Sequence, residues 1–409
     1  MFFSLYLYYS KVKMMERLYN LSRSKAESTT LEFKRYLFNS IDFSNRMIGI
    51  KGARGSGKTT LLLQRLKELP ADLSLYFSLD DIYFSDNRLV TVADEFVRKG
   101  GKYLLIDEVH KYPNWSQELK NIYDNFPELT VIFTSSSALE INKGKFDLSR
   151  RAVIYELQGL SFREYLNFKF RTDFQTISLD RILSNRPEIY TQINSVFKPF
   201  QYFEAYLQKG YYPYFIENEQ SYWIRLNETI NQVIENDLPA ITSIDFISIM
   251  KIKKLVFIIA SLVPYTPNIN KLAVQLNSTR DTVLRYLQLL HTAHILKWLT
   301  QDTWGINFLN KPDKLYLENT NLAFALQDEH INTGSLRETF FLNQVSLLHQ
   351  VTLPKQGDFF VDNTYTFEVG GKNKTVKQIA NIDKAFIVSD DIDYGFQNRI
   401  PLWIFGFLY

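Results

Sequence analysis

Cysteine is absent from the 409 residues, and the sequence contains only 5 histidines and 5 methionines. The lack of cysteine excludes disulfides, zinc–thiolate sites and thiol nucleophiles, and it fits a reducing compartment such as the cytoplasm. No apolar run reaches the roughly 18 residues that a membrane-spanning helix needs, and no basic region precedes the short apolar stretch at residues 1–9. We therefore expect neither a membrane segment nor a signal peptide. The small net charge of +3 gives little indication of a nucleic-acid binder.

Apolar and aromatic residues are plentiful, with 45% hydrophobic residues, 32 Phe and 25 Tyr. This supply is enough for the cores of several domains. After Arg46, short apolar runs alternate with amphipathic stretches, which predicts an α/β domain with a parallel sheet covered on both faces. The predicted strands are Met47–Ile50, Leu73–Leu79, Tyr103–Ile106, Val131–Thr134 and Val153–Leu157. The predicted helices between them include Thr59–Lys67 and Trp115–Asn125.

One segment of the sequence matches the pattern G-x-x-x-x-G-K-S/T. It reads Gly52-Ala53-Arg54-Gly55-Ser56-Gly57-Lys58-Thr59, with Thr60 continuing into a predicted helix. Glycines let the backbone curl so that several N–H groups point at phosphate oxygens, and the helix that follows adds its N-terminal dipole. Lys58 would supply a positive charge to the terminal phosphates of ATP, and the Thr59 hydroxyl would be a ligand of Mg²⁺. The pattern therefore predicts a nucleotide site.

A pair of acids follows the apolar strand Tyr103–Ile106. Because ligands in open α/β sheets bind at the carboxyl ends of the strands, Asp107 and Glu108 are placed beside the phosphate loop. Asp107 would hold Mg²⁺, and Glu108 would polarise the attacking water in phosphoryl transfer. An ordinary acidic strand end is the alternative for this pair taken alone.

These motifs, with His110–Trp115 and the strand Val131–Ser137, resemble the AAA+ ATPases. More narrowly, they are similar to prokaryotic AAA-family ATPases that carry a C-terminal nuclease-related domain, and the segment Leu160–Leu166 is a hallmark of that family. The resemblance implies a polar sensor among Thr134, Ser135 and Ser136, and we choose Ser135, although a simple Ser/Thr-rich turn is the alternative. It also implies that Arg150 or Arg151 contacts the terminal phosphate, within the chain or from a neighbouring subunit of a homo-oligomer. A solvated basic pair is the other possibility.

Residues 268–287 fit a helix-turn-helix, in which Thr279 or Ser278 caps the second helix. That helix would expose Arg280 and Arg285 to DNA, and residues 291–299 would complete a winged-helix unit, as the resemblance also suggests. A packing or protein-contact module is the alternative. His291 and His294 lie three residues apart, and we expect them to be structural histidines rather than metal ligands.

The C-terminal part resembles the core of the PD-(D/E)xK nucleases. Asp358, Glu368 and Lys372 are the matching positions, with Glu338 as an auxiliary acid, and the carboxylates would hold Mg²⁺ near a scissile phosphate. The family pattern places lysine two residues after the glutamate, on the same face of the strand. Position 370 is glycine, so Lys372 or Lys374 would have to swing back. We therefore expect a degenerate nuclease-like fold.

The fold class expected from the sequence is α/β: a P-loop NTPase parallel sheet, a helical and winged-helix middle and a C-terminal mixed α/β nuclease-like domain. The predicted divisions are an N-terminal helical segment (1–40), the ATPase core (41–165), a helical lid-like region (166–240), a winged-helix-like domain (241–305) and a nuclease-like domain (306–409). In the last of these we expect a helix at Leu336–His349, strands at Asp358–Val361, Thr364–Val369 and Ala385–Val388, and a closing strand within Pro401–Tyr409.

The function expected is a magnesium-dependent, ATP-driven switch in the cytoplasm. The alternative is an ATP-dependent DNA-processing enzyme with a C-terminal metal-dependent nuclease centre.

Overall fold

The computed structural model describes residues 2–135, 148–301, 311–327, 331–375, 377 and 379–409. The chain divides into two units, Met1–Gln158 and Gly159–Tyr409. The first unit ends at Gln158, whereas the five-part division expected from the sequence remains a prediction.

A parallel sheet in the order β2-β3-β4-β1-β5 forms the centre of the first unit. Its strands are β1 (Met47–Lys51), β2 (Ser74–Ser78), β3 (Tyr103–Asp107), β4 (Thr130–Ser135) and β5 (Val153–Glu156). The described helices of this unit are α1 (Phe2–Ser28), α2 (Tyr36–Ser40), α3 (Lys58–Glu68), α4 (Leu89–Arg98) and α5 (Trp115–Asn125). The prediction of an α/β fold is confirmed, and each predicted strand lies within a residue of its observed bounds. The helix α4 lies between two predicted strands but is not one of the two helices named from the sequence.

Each central strand is buried on both faces because its side chains alternate between two apolar clusters. In β3, Leu104 and Ile106 pack in one cluster, with α4 and α5, whereas Leu105 packs in the other, with α3. Gly49 of β1 leaves no room for a side chain, since an added Cβ would lie 2.5 Å from Ile154 Cδ1. This packing fixes the strand ends, and with them the residues that follow the strands.

The second unit begins with a helical region. Its helices are α6 (Phe162–Phe170), α7 (Leu179–Leu183), α8 (Pro187–Val196), α9 (Phe203–Lys209), α10 (Tyr222–Gln232), α11 (Leu238–Ile241) and α12 (Phe246–Ala260), with a π-helical stretch at Val233–Asp237 between α10 and α11. The helix α6 begins with a capping box, in which Ser161 accepts from the Glu164 amide and Glu164 accepts in return from the Ser161 amide.

Two short helices and a hairpin follow α12. The helices are α13 (Ile269–Gln275) and α14 (Arg280–Thr292), and the antiparallel strands are β6 (Leu296–Leu299) and β7 (Lys314–Leu317). Thr279 caps α14 by accepting from the Thr282 amide, and Asn277 takes a left-handed conformation in the turn. The predicted helix-turn-helix is thus observed, with Thr279 rather than Ser278 as the cap.

A mixed sheet in the order β12-β11-β10-β9-β8 follows, after α15 (Thr320–Leu326) and α16 (Thr333–Val345). Its strands are β8 (Val351–Thr352), β9 (Phe359–Val361), β10 (Tyr365–Gly370), β11 (Ala385–Ser389) and β12 (Arg399–Pro401). The prediction of a closing strand within Pro401–Tyr409 was wrong for most of that segment, because Leu402–Phe407 forms a buried 3₁₀ helix. A short apolar run fits a buried strand and a buried helix equally well, and tertiary packing decides between them.

Candidate nucleotide-binding site

The predicted phosphate loop lies between β1 and α3, at the carboxyl ends of the parallel strands. Gly55 and Gly57 have φ values of 81° and 97°, a left-handed region that glycine adopts without strain. Gly52 meets a different demand, since a Cβ added there would lie 2.2 Å from the Leu157 carbonyl oxygen. The three glycines of the motif therefore each have a geometric cause in this structure.

Lys58, the first residue of α3, is only 4% exposed. Its ammonium group donates to the carbonyl oxygens of Gly52 and Ala53, at 3.0 and 2.9 Å. The lysine charge is thus held against the loop itself, beside the backbone amides that would face a phosphate. The Ser56 hydroxyl is also buried, and its oxygen has no hydrogen-bond partner within the part of the chain that the structure describes. Arg54 is half-buried, whereas Thr60 is exposed at the start of α3.

Asp107, at the end of β3, lies beside the loop and receives hydrogen bonds from three hydroxyl groups. Thr59 Oγ1 donates to Asp107 Oδ2 at 2.8 Å, and Tyr76 OH donates to the same oxygen at 3.1 Å. Thr134 Oγ1 donates to Asp107 Oδ1. Strand alternation explains this grouping, because Asp107, Tyr76 and Thr134 all lie on the sheet face that α3 covers.

Burial raises the pKa of Asp107, and the nearby Glu108 carboxylate adds to this effect. The hydrogen bonds from Thr134, Thr59 and Tyr76 act in the opposite direction without cancelling it. Burial raises the pKa of the Tyr76 hydroxyl as well, and the Asp107 carboxylate adds to this effect. A cation beside Asp107 would stabilise its charged form, so the electrostatics of this carboxylate suit a metal ligand.

Glu108 has a left-handed backbone conformation, with φ 53° and ψ 43°. Such a conformation is uncommon for residues other than glycine and asparagine, and it recurs at functional sites. This conformation ends the regular alternation of side chains along β3. The backbone amide of Glu108 donates to Thr134 Oγ1 at 3.1 Å. His110 Nε2 lies 3.4 Å from Glu108 Oε2, and the His110 side chain is buried. The acid pair is thus fixed by neighbouring residues on two sides.

Ser135, the expected sensor, is buried at the end of β4. It follows Thr134 directly, so its side chain lies on the opposite face of the sheet. The hydroxyl that contacts Asp107 and Glu108 belongs to Thr134. The sensor role of Ser135 remains a prediction, and Thr134, another of the three candidates from the sequence, is the residue that contacts the acid pair. Ser136 and Ser137 lie outside the described residues.

Arg150 and Arg151 precede β5 and therefore lie at the amino ends of the strands, the edge opposite the phosphate loop. Ile48 pairs with Val153 in the strand register, which places Arg151 beside Arg46, just before β1. The phosphate loop begins past the other end of β1, about 20 Å away. Arg151 makes a two-point ion pair with Asp124, at 2.8 and 2.9 Å, whereas Arg150 is exposed. The structure brings neither arginine to the loop of its own chain, and only contact from a neighbouring chain stays a prediction.

Two further residues of the site carry no sequence signal. Arg35 precedes α2 and is 5% exposed, with its guanidinium group against the phosphate loop. Tyr76 lies within an apolar strand, where an aromatic residue predicts only packing. Both roles depend on tertiary contacts, and no local pattern marks them.

The carboxylates predicted in the C-terminal part lie close enough to influence one another. Burial raises the pKa of Asp358 to about 6, and the charges of Glu338 and Glu368 contribute. Asp358 Oδ2 accepts from the Val369 amide at 2.8 Å. Glu338 Oε2 accepts from Lys314 Nζ at 2.9 Å and from Tyr316 OH at 2.8 Å.

The lysine beside Glu368 is Lys374, whose Nζ lies 2.6 Å from Glu368 Oε1. Lys372, the position matched first from the sequence, is exposed, so of the two lysines that the sequence left open it is Lys374 that reaches Glu368. No group of three or more His, Asp or Glu residues that would hold a metal ion occurs among the described residues.

The helix-turn-helix exposes Arg280 and Arg285, as expected from the sequence. Arg285 Nη2 donates to Thr242 Oγ1 at 2.5 Å. His291 stacks on Trp298 with the ring centroids 4.4 Å apart, and burial lowers its pKa to about 4. His294 Nδ1 lies 3.9 Å from Glu318 Oε1.

Comparison with protein families gives two matches. Residues 44–166 match the family described as AAA domain. The match covers most of the first unit and supports an AAA-type P-loop fold there, in agreement with the five-stranded parallel sheet. Residues 200–332 match a second family, a domain of unknown function named DUF8612. That match covers part of the helical region and the helix-turn-helix, and it names neither a winged helix nor a nuclease.

One relative matches along most of both chains. The chain is 26% identical to Uncharacterized protein MJ1637 of Methanocaldococcus jannaschii, over 94% of this chain and 89% of the relative. Among solved structures, it is similar to the Walker-type ATPase PABY2304 of Pyrococcus abyssi, with 13% identity, 72% of this chain and 95% of that chain covered, and a TM-score of 0.42. Another similar structure is AMPPCP-bound DnaA from Aquifex aeolicus, with 17% identity, 62% of this chain and 84% of that chain covered, and a TM-score of 0.24.

Among the described residues, no helix is both long and apolar enough to cross a membrane.

Proposed function

We propose that this protein binds ATP with magnesium at Gly52–Thr60, hydrolyses it to ADP and phosphate, and uses the cycle as a conformational switch. The observation that carries the proposal is the hydrogen bond of 2.8 Å between Thr59 and Asp107. It joins the two halves of the motif that a P-loop enzyme needs, one following β1 and the other ending β3. The AAA-domain match to residues 44–166 supports the same assignment.

Several residues of the loop have distinct parts in the proposed binding of ATP. The curled backbone of Gly55–Gly57 directs amide groups at phosphate oxygens, and the N-terminus of α3 favours the same anion. Lys58 would exchange the carbonyl oxygens of Gly52 and Ala53, which it contacts at 3.0 and 2.9 Å, for the terminal phosphates. Thr59 and Asp107 would hold Mg²⁺, which when bound neutralises charge on the phosphate oxygens.

Glu108 is the residue that would orient the attacking water and accept its proton. Its carboxylate is partly exposed, with 19% of the side chain accessible, whereas Asp107 is buried. The amide contact to Thr134 and the approach of His110 fix its position. Asp107 and Glu108, adjacent in sequence, thus take separate roles, one toward the metal and one toward water.

Binding of labelled ATP in the presence of Mg²⁺, followed by measurement of phosphate release, tests the proposal. Lys58→Ala is expected to abolish binding. Glu108→Gln is expected to keep binding but to reduce turnover by at least about a hundredfold, the typical contribution of a positioned base. Lys99→Ala is the control, because Lys99 pairs with Glu95 on an exposed face of the same unit. Absence of ATP binding by the unmodified protein would refute the proposal, and unchanged hydrolysis by Glu108→Gln would remove that residue from the mechanism.

A second candidate is cleavage of phosphodiester bonds in DNA by the C-terminal part. The observation that favours it is Lys374, which restores a lysine beside Glu368 despite glycine at position 370. Magnesium sites commonly use only one or two protein carboxylates. Asp358 and Glu368 are the pair that would hold the ion, and Lys374 would orient water.

Incubation of plasmid DNA with protein and Mg²⁺, with and without ATP, tests this candidate. Nicking that disappears in Asp358→Ala but persists in Asp391→Ala would establish it, since Asp391 is an exposed carboxylate of the same unit paired with Arg337. Intact plasmid under both conditions would leave the ATP-driven switch as the function.

The remaining proposals concern partners and location. The proposal of DNA contact through Arg280 and Arg285 rests on their exposure at the start and middle of α14.

The proposal of a homo-oligomer rests on Arg150 and Arg151, which would need a neighbouring chain to contact a nucleotide. Measurement of the mass in solution, with and without ATP and Mg²⁺, tests whether the protein forms a homo-oligomer. A cytoplasmic location remains a proposal from the absence of cysteine in the sequence.

A further inference from the structure

Arg35 connects the phosphate loop to the last residue of the first unit. Its guanidinium group is buried, and Nη1 donates to the Ser56 carbonyl oxygen at 2.5 Å. Nη2 of the same group donates to the Gln158 carbonyl oxygen at 2.7 Å. One rigid planar group therefore holds two backbone segments that are far apart in the sequence.

The contact to Ser56 has a consequence for the loop amides. In a planar trans peptide, the carbonyl of Ser56 and the N–H of Gly57 point in opposite directions. Arg35 fixes the direction of the carbonyl and so fixes the direction of the Gly57 amide, which points away from the guanidinium group. Gly57 is the residue immediately before α3, in the stretch whose amides would bind a phosphate.

The segment around Arg35 is itself anchored on both sides. Gln64, a buried residue of α3, donates to the carbonyl oxygens of Thr30 and Phe33 at 3.1 and 2.8 Å. On the other side, Tyr36 OH donates to the Glu156 carbonyl oxygen at 3.0 Å and accepts from the Gln158 amide at 3.2 Å. The helix that follows the loop and the chain that leaves β5 thus contact one short segment.

We propose that Arg35 is a positioning residue of the nucleotide site, which orients the phosphate loop and transmits its occupancy to the chain at Gln158. This inference rests on the proposed binding of ATP at the loop. A phosphate on the Gly57 amide polarises the same peptide unit whose carbonyl Arg35 holds, so occupancy strengthens that contact. The other arm of the guanidinium group stabilises Gln158 at the same time, and Gly159 begins the second unit.

The test compares Arg35→Lys with Arg46→Lys. Arg46 is a matched control, because its Nη2 also donates to two carbonyl oxygens, those of Tyr123 and Phe126, at 2.9 and 3.1 Å. These contacts lie at the amino ends of the strands, on the side of the sheet opposite the phosphate loop. ADP binding with Mg²⁺ is measured by calorimetry, and backbone hydrogen exchange near Gln158 is measured with and without ADP. The full chain is used throughout, and thermal unfolding reports any loss of stability.

In the unmodified protein, ADP is expected to slow exchange near Gln158. Arg35→Lys is expected to weaken ADP binding about tenfold, as loss of one charge-assisted hydrogen bond does. At saturating ADP it should no longer show the slower exchange. Arg46→Lys should keep both properties even where its unfolding midpoint falls.

Equal ADP affinity and equal protection in Arg35→Lys and the unmodified protein would overturn the inference while leaving ATP binding in place. Equal losses in both lysine variants would also overturn it, because they would show a purely structural role. Failure of the unmodified protein to bind ADP or ATP would instead remove the proposed function.

Discussion

The ammonium group of Lys374 lies 2.6 Å from the Glu368 carboxylate, and the stem of the lysine occupies the space beside Gly370. A Cβ added to Gly370 would lie 2.7 Å from Lys374 Cδ and 2.9 Å from its Cβ and Cγ. Lys374 thus fills the position that a side chain at residue 370 would take. The glycine that interrupts the sequence pattern is the residue that lets a later lysine reach the same place.

Gly370→Ala is predicted to destabilise the protein by about 1–3 kcal/mol, because the new methyl group meets the Lys374 stem. Lys374→Gly removes that stem, so the double variant should lose less stability than the sum of the single variants. Urea unfolding of the four proteins in the cycle measures the difference. Gly371→Ala is the control, since its Cβ would meet only the flexible end of Arg337, at 3.2 Å. Additive losses in the cycle would contradict the contact.

Features of the fold and the site that depend on local sequence patterns could be predicted from the sequence. The phosphate loop and Asp107 were predictable because a fixed spacing follows a strand and precedes a helix. Arg35 and Tyr76 were not predictable, since they reach the site through the packing of separate elements. Thr134 was one of three candidates for the sensor, and the choice among them depended on which face of the sheet each side chain takes.

The C-terminal part shows the same limit. Its strands could be predicted from alternating apolar residues, but the identity of the lysine beside Glu368 depends on how the chain turns after Gly370. The closing segment Leu402–Phe407 was assigned to a strand because a short apolar run carries no period that separates it from a buried helix.

Asp107→Asn is predicted to raise the thermal unfolding midpoint by a few degrees in the absence of nucleotide. The reason is the raised pKa of Asp107, since a group whose charge burial disfavours lowers the free energy of unfolding when it ionises. The same variant should lose magnesium-dependent ATP hydrolysis. Differential scanning calorimetry at neutral pH measures the first effect and phosphate release measures the second.

The control for this variant is Asp124→Asn. Asp124 is exposed, and its hydrogen bond with Arg151 lowers its pKa, so the same chemical change should leave the midpoint unchanged or slightly lower. A midpoint that falls in Asp107→Asn would show that the hydroxyl contacts from Thr59, Tyr76 and Thr134 outweigh the cost of burial.

Thr134→Val and Ser135→Ala distinguish the two neighbouring hydroxyl groups at the end of β4. Valine keeps the shape of threonine but cannot donate to Asp107 or accept from the Glu108 amide, both of which Thr134 contacts. We expect Thr134→Val to lower the rate of ATP hydrolysis about tenfold or more while nucleotide still binds. Ser135→Ala should have a smaller effect, and a larger loss in Ser135→Ala would return the sensor role to that residue. Phosphate release and ADP binding, measured in parallel, provide the comparison.

Glu318 provides a pH-dependent contribution to stability in the second unit. Burial raises the pKa of this carboxyl group, but Lys297, with its Nζ 3.5 Å away, and His294 outweigh burial and lower the pKa from its ordinary 4.5 to about 2. A lowered pKa means that the folded state favours the charged form. The stabilisation is therefore complete above about pH 4.5 and is lost as the pH falls toward 2.

Glu318→Gln is predicted to lower the free energy of unfolding by about 3–5 kcal/mol near neutral pH, because the ammonium group of Lys297 would lose its buried partner. The difference from the unmodified protein should shrink at about pH 3, where protonation of Glu318 begins to remove the same interaction. Urea unfolding at both pH values measures the change. Glu217→Gln, which disrupts an exposed pair with Arg225, should cost less than about 1 kcal/mol at either pH. A difference that is independent of pH would show that Glu318 acts through packing rather than through its charge.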